Sequence, residues 1–283
     1  MFNLIDGKLV SQSVKDRIRD EVAALKEEGK EVTLAVIIVG DDPASRVYVN
    51  NKKKACEYVG FRSLEYALPA ETTQEELIAL IEELNGREDV NGILCQLPVP
   101  KHIDDKAVIA AISVEKDVDA FSSYNVGKIM IGDYDFLPCT PAGVMEMLHY
   151  YEIPVEGKNC VVIGRSNIVG KPMAMLLLHE NGTVTVTHSR TKDLSEITKK
   201  ADILVAAVGR AKFVTADMVG DGAVVIDVGM NRDENGKLCG DVDFANVAEK
   251  CSYITPVPGG VGPMTIAMLM QNTLKAFHIQ NKD

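Results

Sequence analysis

Two hydrophobic periods share this chain. Over residues 14–28 the apolar positions Val14, Ile18, Val22 and Leu25 recur every three or four residues, one stripe of a helix that Gly29 ends. Residues 34–39 are apolar without a break and too few for a helix, which predicts a strand buried on both faces. Gly40-Asp41-Asp42-Pro43 then reads as a turn, 44–59 as a helix stopped by Gly60, and 62–68 as a second strand. Thr73 followed by Glu76 is a capping box for a helix whose buried face is Leu77, Leu80, Ile81 and Leu84. Residues 92–97 form a third strand, closed by Pro98 and Pro100. Strands alternating with helices predict a parallel sheet with right-handed crossovers.

Residues 117–135, with Gly127 and Gly132, show no clear period and read as irregular. Thr140-Pro141 predicts a helix running to about residue 151, Thr140 being its N-cap and Pro141 its first helical residue. The alternation restarts with strands at 160–163, 183–187, 203–208 and 223–228, and helices from near Val169, over 194–201 and around Ala216. This is the rhythm of a doubly wound dinucleotide fold. Residues 255–263 make a rigid Pro- and Gly-rich loop before a last helix over 264–277. The expected fold is α/β: two α/β domains, the second a Rossmann-type dinucleotide-binding domain, with a cleft between them.

Strand 160–163 runs into a turn at Gly164 and then a helix N-terminus, a geometry that presents backbone N–H groups and the helix dipole to an anion. Glycine recurs only at Gly170, so the common G-x-G-x-x-G pattern is not met, and an ordinary βα connection uses glycine too. The second strand of such a fold ends at the adenosine ribose. Here it is followed by His188-Ser189-Arg190-Thr191, with no carboxylate to select NAD. With Arg165 in the first turn, these residues favour NADP, since guanidinium groups suit phosphate.

In the first half, Ser45, Tyr48, Lys52 and Cys56 fall on one helical face. Arg46, Lys52, Lys53 and Lys54 make a local basic cluster able to draw in an anionic substrate, although such runs are commonly just a solvated face. For Lys52 to act as a base near neutral pH, its pKa must fall by roughly 3 units from about 10.4. Gln96 ends the third strand, where open parallel sheets bind ligands, and Asp119 is an acid among apolar neighbours.

Composition narrows the class. The 283 residues are 46% hydrophobic and 25% charged, which fits one large or two moderate globular domains. A net charge of −11 argues against a nucleic-acid binder. No apolar run is long enough for a membrane span, and the N-terminus lacks a signal-peptide pattern. The six cysteines include no C-x-x-C pair and the histidines show no ligand spacing, so no metal is expected and the cysteines read as buried, reduced thiols.

Taken together, Tyr48-Val49-x-x-Lys52, Gln96-Leu97-Pro98-Val99-Pro100, Lys116-Asp117-Val118-Asp119, Pro138-Cys139-Thr140-Pro141-Ala142-Gly143, Gly164-Arg165-Ser166-x-x-Val169-Gly170-x-Pro172 and residues 256–265 resemble the methylenetetrahydrofolate dehydrogenase/methenyltetrahydrofolate cyclohydrolase family over nearly the whole chain. The resemblance implies a cytoplasmic homodimer of one-carbon metabolism and purine biosynthesis. It would oxidise 5,10-methylenetetrahydrofolate with NADP and hydrolyse the product to 10-formyltetrahydrofolate. The chain is too short for the formate ligase domain of some relatives. The implied division is a folate domain over residues 1–139, completed by 264–283, and an NADP domain over 140–263.

By the same resemblance Lys52 is the catalytic lysine with Gln96 its partner, Tyr48 lies against the folate ring, and Ser45 supports the site. Asp119 would bind the polar edge of the pterin, with Leu97, Pro258, Gly259, Gly260 and Val261 lining the substrate. Arg165, Ser166, Ser189 and Arg190 would meet the NADP phosphates, with Thr140, Gly164, Val169, Gly170 and His188 in the same site. Gly229, Met230 and Asn231 would approach the nicotinamide. One departure shows: relatives commonly have Gly where this chain has Ala120, and if that glycine serves a positive φ, the loop must shift. A shikimate dehydrogenase-like enzyme and a non-catalytic dinucleotide sensor are the rival readings.

Overall fold

Asn3–Leu4 forms a short strand, β1, after which α1 (Gly7–Glu27) buries Val14, Ile18 and Val22. The helix starts earlier than its apolar stripe suggests because the Asp6 carboxylate accepts from the N–H of Lys8 and Leu9, capping the first turn. β2 (Thr33–Val39) is buried throughout. α2 (Pro43–Val59) is capped by Asp42 and closed by Gly60 at φ 85. β3 (Arg62–Leu68) precedes α3 (Gln74–Gly86), where the Thr73–Glu76 capping box forms and Leu77, Ile81 and Leu84 are buried. β4 (Gly92–Cys95) ends two residues before the predicted bound: the Gln96 N–H still donates to Ile37 O, but Pro98 has no N–H to carry the ladder on. The computed structural model describes residues 2–282.

The stretch read as irregular is helical in part. α4 (Asp105–Ala111) and α5 (Ser123–Ile131) are each started by a side-chain cap, Asp104 and Ser122, and α5 is ended by Gly132 at φ 78. Both are too short to show a period, and Gly127 inside α5 hides its pattern. α6 (Cys139–Tyr150) also corrects the sequence reading: Pro138 stands at the N-cap with no side-chain hydrogen bond, and Thr140 lies inside the first turn. Pro141 is tolerated there because first-turn N–H groups lack helical partners in any case.

β5 (Asn159–Ile163), α7 (Gly170–His179), β6 (Thr183–Thr187), α8 (Leu194–Thr198), β7 (Ile203–Ala206) and β8 (Val224–Asp227) follow the expected alternation, except that the helix expected around Ala216 is only a 3₁₀ turn, Ala216–Met218. A small antiparallel hairpin of β9 (Asn231–Arg232) and β10 (Leu238–Cys239) has no counterpart in the sequence reading. α9 (Phe244–Val247), β11 (Tyr253–Ile254) and α10 (Val261–Gln280) complete the chain.

Two units result. The residues through Ser11 join Pro138–Thr265 around a parallel six-stranded sheet, ordered β1-β11-β8-β7-β5-β6. Gln12–Leu137 and the residues from Ile266 onward build around a parallel three-stranded sheet, β3-β2-β4. Aliphatic side chains fill both cores, Val161, Leu204, Val225 and Ile254 in the first and Ile37, Leu77, Ile81 and Ile93 in the second. Among the described residues no helix is long and apolar enough to cross a membrane.

Candidate active site

In the three-stranded unit the chain leaves β2 toward β3 on one side and returns to β4 on the other. The carboxyl ends of β2 and β4 therefore flank the point where strand order reverses, where open parallel sheets hold ligands. α2 starts there, Asp42 accepting from Ser45 N–H at 2.8 Å. The expected helical face turns inward: Ser45 and Cys56 are buried, Tyr48 is half-buried, and Lys52 is only 8% exposed. Lys52 Nζ donates to Gln96 Oε1 at 2.8 Å, and Gln96 Nε2 donates to the Leu97 carbonyl at 2.7 Å. The backbone N–H of Gln96 in turn donates to Ile37 O at 2.8 Å, tying the pair to β2. Burial raises the Tyr48 phenol above its ordinary value.

The basic cluster is not one patch. Lys52 turns in, Lys53 and Lys54 are exposed, and Arg46 pairs with Asp41 at 3.0 Å and Glu65 at 3.4 Å. Arg46 is thus largely neutralised as a lure for anions.

Asp119 sits on a loop running beside β4, where Ile93 bridges Asp117. Asp117 is buried and accepts from Phe121 N–H, Ser122 N–H and Asn125 Nδ2. Asn272 donates to the carbonyls of Val118 and Leu137, both at 2.8 Å. The loop is therefore fixed on either side of Asp119. Burial pushes the Cys95 thiol up to about 12, the Asp119 charge adding to the rise and the Lys52 charge opposing it, so both charges lie within electrostatic reach of one strand end. Ala120 takes φ 56: the chain keeps the left-handed conformation with an alanine in it. Lys116, in the same motif, is structural, its Nζ donating to the carbonyls of Leu84, Asn85 and Arg87 at the end of α3.

In the six-stranded unit the order reverses at β5, between β6 and β7. Gly164 stands there at φ 131, and a Cβ on it would lie 2.2 Å from Ala207 O. A Cβ on Gly170 would lie 2.4 Å from Gly164 O, so both glycines let the turn fold against backbone. Ser166 Oγ accepts from the N–H groups of Val169 and Gly170, both at 3.2 Å, capping α7 in place of the residue at its N-cap. Arg165, Ser166, Ser189 and Arg190 are exposed, and neither arginine forms an ion pair among the described residues. His188 shapes the turn after β6: its Nδ1 accepts from Arg190 N–H, and its backbone N–H donates to Thr191 Oγ1. This surface of an anion-ready turn, two arginines and no ribose-binding carboxylate fits a phosphorylated dinucleotide.

The remaining expected residues lie in the same unit. Thr140 Oγ1 is 3.0 Å from Thr265 Oγ1. Gly229 N–H donates to Asp227 Oδ1, Met230 is 48% exposed, and Asn231 Nδ2 donates to Asp241 Oδ1. Pro258 is exposed, whereas Gly259, Gly260 and Val261 are buried, so the last three can offer a ligand backbone rather than side chain. Sequence reasoning missed Asp227, Asp241 and Asn272, all buried. The signals were present: an acid closing the apolar run Val224-Val225-Ile226, a Gly-Asp step at 240–241, and an Asn next to Gln271 within a largely apolar helix.

These features define a class: α/β dehydrogenases in which one unit has a Rossmann-type parallel sheet and the other a lysine held at its strand ends. Residues 5–119 match the tetrahydrofolate dehydrogenase/cyclohydrolase catalytic domain, and residues 138–281 match the NAD(P)-binding domain of the same name. The chain belongs to the tetrahydrofolate dehydrogenase/cyclohydrolase family. It is 65% identical over 272 residues to the bifunctional protein FolD of Lachnoclostridium phytofermentans, covering 96% of each. It is similar to the bifunctional FolD structure from Campylobacter jejuni (TM-score 0.96, 52% identity, 99% of both chains). It is also similar to the Trypanosoma brucei enzyme complexed with NADP and inhibitor (TM-score 0.95, 40% identity, 100% of this chain and 99% of that one). Shikimate 5-dehydrogenase of Thermus thermophilus shares the fold at 16% identity and TM-score 0.55, covering 88% of this chain and 93% of its own.

Proposed function

We propose that this chain oxidises 5,10-methylenetetrahydrofolate to 5,10-methenyltetrahydrofolate with NADP and hydrolyses that product to 10-formyltetrahydrofolate. Family membership supports both activities, and the observation that carries the reading is the Lys52–Gln96 hydrogen bond at the carboxyl end of β4. When bound, NADP supplies the two-electron acceptor. Arg165 and Arg190 would hold its phosphates by charge-assisted hydrogen bonds, and the turn at Gly164 would let backbone approach them. The absence of a carboxylate among residues 188–191, directly after β6, supports NADP over NAD.

Hydrolysis adds water to the electrophilic methenyl carbon, after which one carbon–nitrogen bond breaks and a proton is released. Lys52 Nζ is the group that accepts and returns protons, and Gln96 Oε1 holds it in register. Tyr48, one helical turn before Lys52, lies against the folate ring, Ser45 supports the helix start, and Asp119 receives the N–H edge of the pterin. Family resemblance supports a homodimer acting in the cytoplasm. The test is to supply methylenetetrahydrofolate with NADP, then with NAD, and follow reduced cofactor and methenyltetrahydrofolate by absorbance. Formation and decay of the methenyl species with NADP supports the reading; reduction of NADP by a hydroxy acid instead overturns it.

A further inference from the structure

We propose that Asp241 is a positioning residue for the cofactor, holding the two loops that meet the nicotinamide end. The inference rests on the reading that the six-stranded unit binds NADP. Asp241 is fully buried, and its carboxylate gathers donors from two loops. Oδ2 accepts from the N–H of Val208 at 2.6 Å and Gly209 at 3.1 Å. Oδ1 accepts from Arg210 N–H at 2.8 Å and Asn231 Nδ2 at 2.9 Å. The first three donors lie just past β7, and Asn231 lies just past β8. These strands are neighbours whose ends pair Ala206 with Asp227, so one side chain ties together two adjacent carboxyl ends of the sheet.

Asp227 anchors the arrangement from below. Its Oδ1 accepts from Gly229 N–H and Asp241 N–H, and its Oδ2 from Val242 N–H, all at 2.9 Å. A Cβ at Gly240 would lie 1.8 Å from Asp227 Oδ2, so the chain between β10 and Asp241 can pass only as glycine. No lysine or arginine side chain pairs with either aspartate among the described residues; backbone amides and one side-chain amide compensate both. Two adjacent carboxylates buried without a cation are a poor way to gain stability, since apolar residues of similar size would do as well or better. They do fix where seven donors sit, and those donors belong to loops at the ligand-binding edge of the sheet.

Asp241→Asn turns part of the acceptor into a donor facing N–H groups and frees both loops. The full-length variant is expected to bind NADP roughly ten- to a hundredfold more weakly by calorimetry, the size of one or two lost hydrogen bonds to a charged group. The KM for NADP should rise in proportion, while hydrolysis of supplied methenyltetrahydrofolate changes less than about threefold. Unchanged NADP affinity, or equal losses in the two activities, overturns the proposal. Should Asp241→Asn fail to fold, Asn231→Ala removes one donor and leaves the carboxylate the other three. Its NADP affinity is expected to fall roughly three- to tenfold, and no change overturns the proposal. A wild-type chain that binds NADP but turns over no folate refutes the proposed function and leaves the Asp241 result readable. One that binds no NADP refutes both.

Discussion

Lys52 Nζ lies 2.8 Å from Gln96 Oε1, and the other end of that amide donates to the Leu97 carbonyl, so Gln96 meets the lysine with a neutral oxygen. A carboxylate in its place would favour the ammonium form and lose the hydrogen bond to Leu97. Gln96→Glu is therefore expected to shift the acid limb of the pH–rate profile for methenyltetrahydrofolate hydrolysis upward by about one unit or more, and to lower the rate at pH 7 by at least about tenfold. The check is kcat against pH for both proteins.

Arg190 stands exposed beside Ser189 just past β6, with no carboxylate among residues 188–191, and in the proposed function it meets the 2′-phosphate of NADP. Arg190→Ala is expected to raise the KM for NADP roughly tenfold or more and to leave NAD-supported turnover unchanged within about twofold. Steady-state dehydrogenase kinetics with each cofactor measure both.

Asp227 gives the protein a pH-dependent stability. Burial and the neighbouring Asp241 charge push its carboxyl up to about 6, against the amide hydrogen bonds that favour ionisation. The unfolded value is about 3.9. A raised acid pKa means that folding favours the protonated form, so this contribution is full below pH 4 and is lost as pH climbs through about 6. Asp227→Asn cannot titrate. The stability of the wild type relative to the variant is expected to be about 1 kcal/mol greater at pH 5 than at pH 7.5, measured by urea unfolding at both.

Ala120 is fully buried in a left-handed backbone conformation. Glycine would relieve about 1 kcal/mol of steric cost but lose a buried methyl and add chain entropy, and these offset one another. Ala120→Gly is expected to leave stability within about 1 kcal/mol, whereas Ala120→Val, β-branched and too large, should cost at least about 2 kcal/mol. Denaturation midpoints separate the two.

The three-stranded sheet and β5 to β8 were legible because their strands are short runs, wholly apolar in β7 and alternating in β6, set between strong breakers, whereas β1 and β11 are two residues each and carry no such signal. Thr183–Thr187 and Arg62–Leu68 match their predicted bounds. The inward face of α2 was legible because Ser45, Lys52 and Cys56 keep a helical spacing. What escaped was set by single side chains acting over distance. Asp6 starts α1, Ser122 starts α5, and Asn272 reaches two carbonyls far off in sequence. The same holds for Asp241, which is one more acid in an acidic chain until the fold brings four donors to it.

Lys52 carries the account, and the most direct measurement is the rate of methenyltetrahydrofolate hydrolysis in Lys52→Met, with NADP affinity as its control. The substitution keeps an unbranched side chain, one atom shorter, and removes its charge and proton. Hydrolysis of methenyltetrahydrofolate is expected to fall at least about a hundredfold, with NADP affinity unchanged. Hydrolysis at the wild-type rate would contradict the account and remove Lys52 from the chemistry.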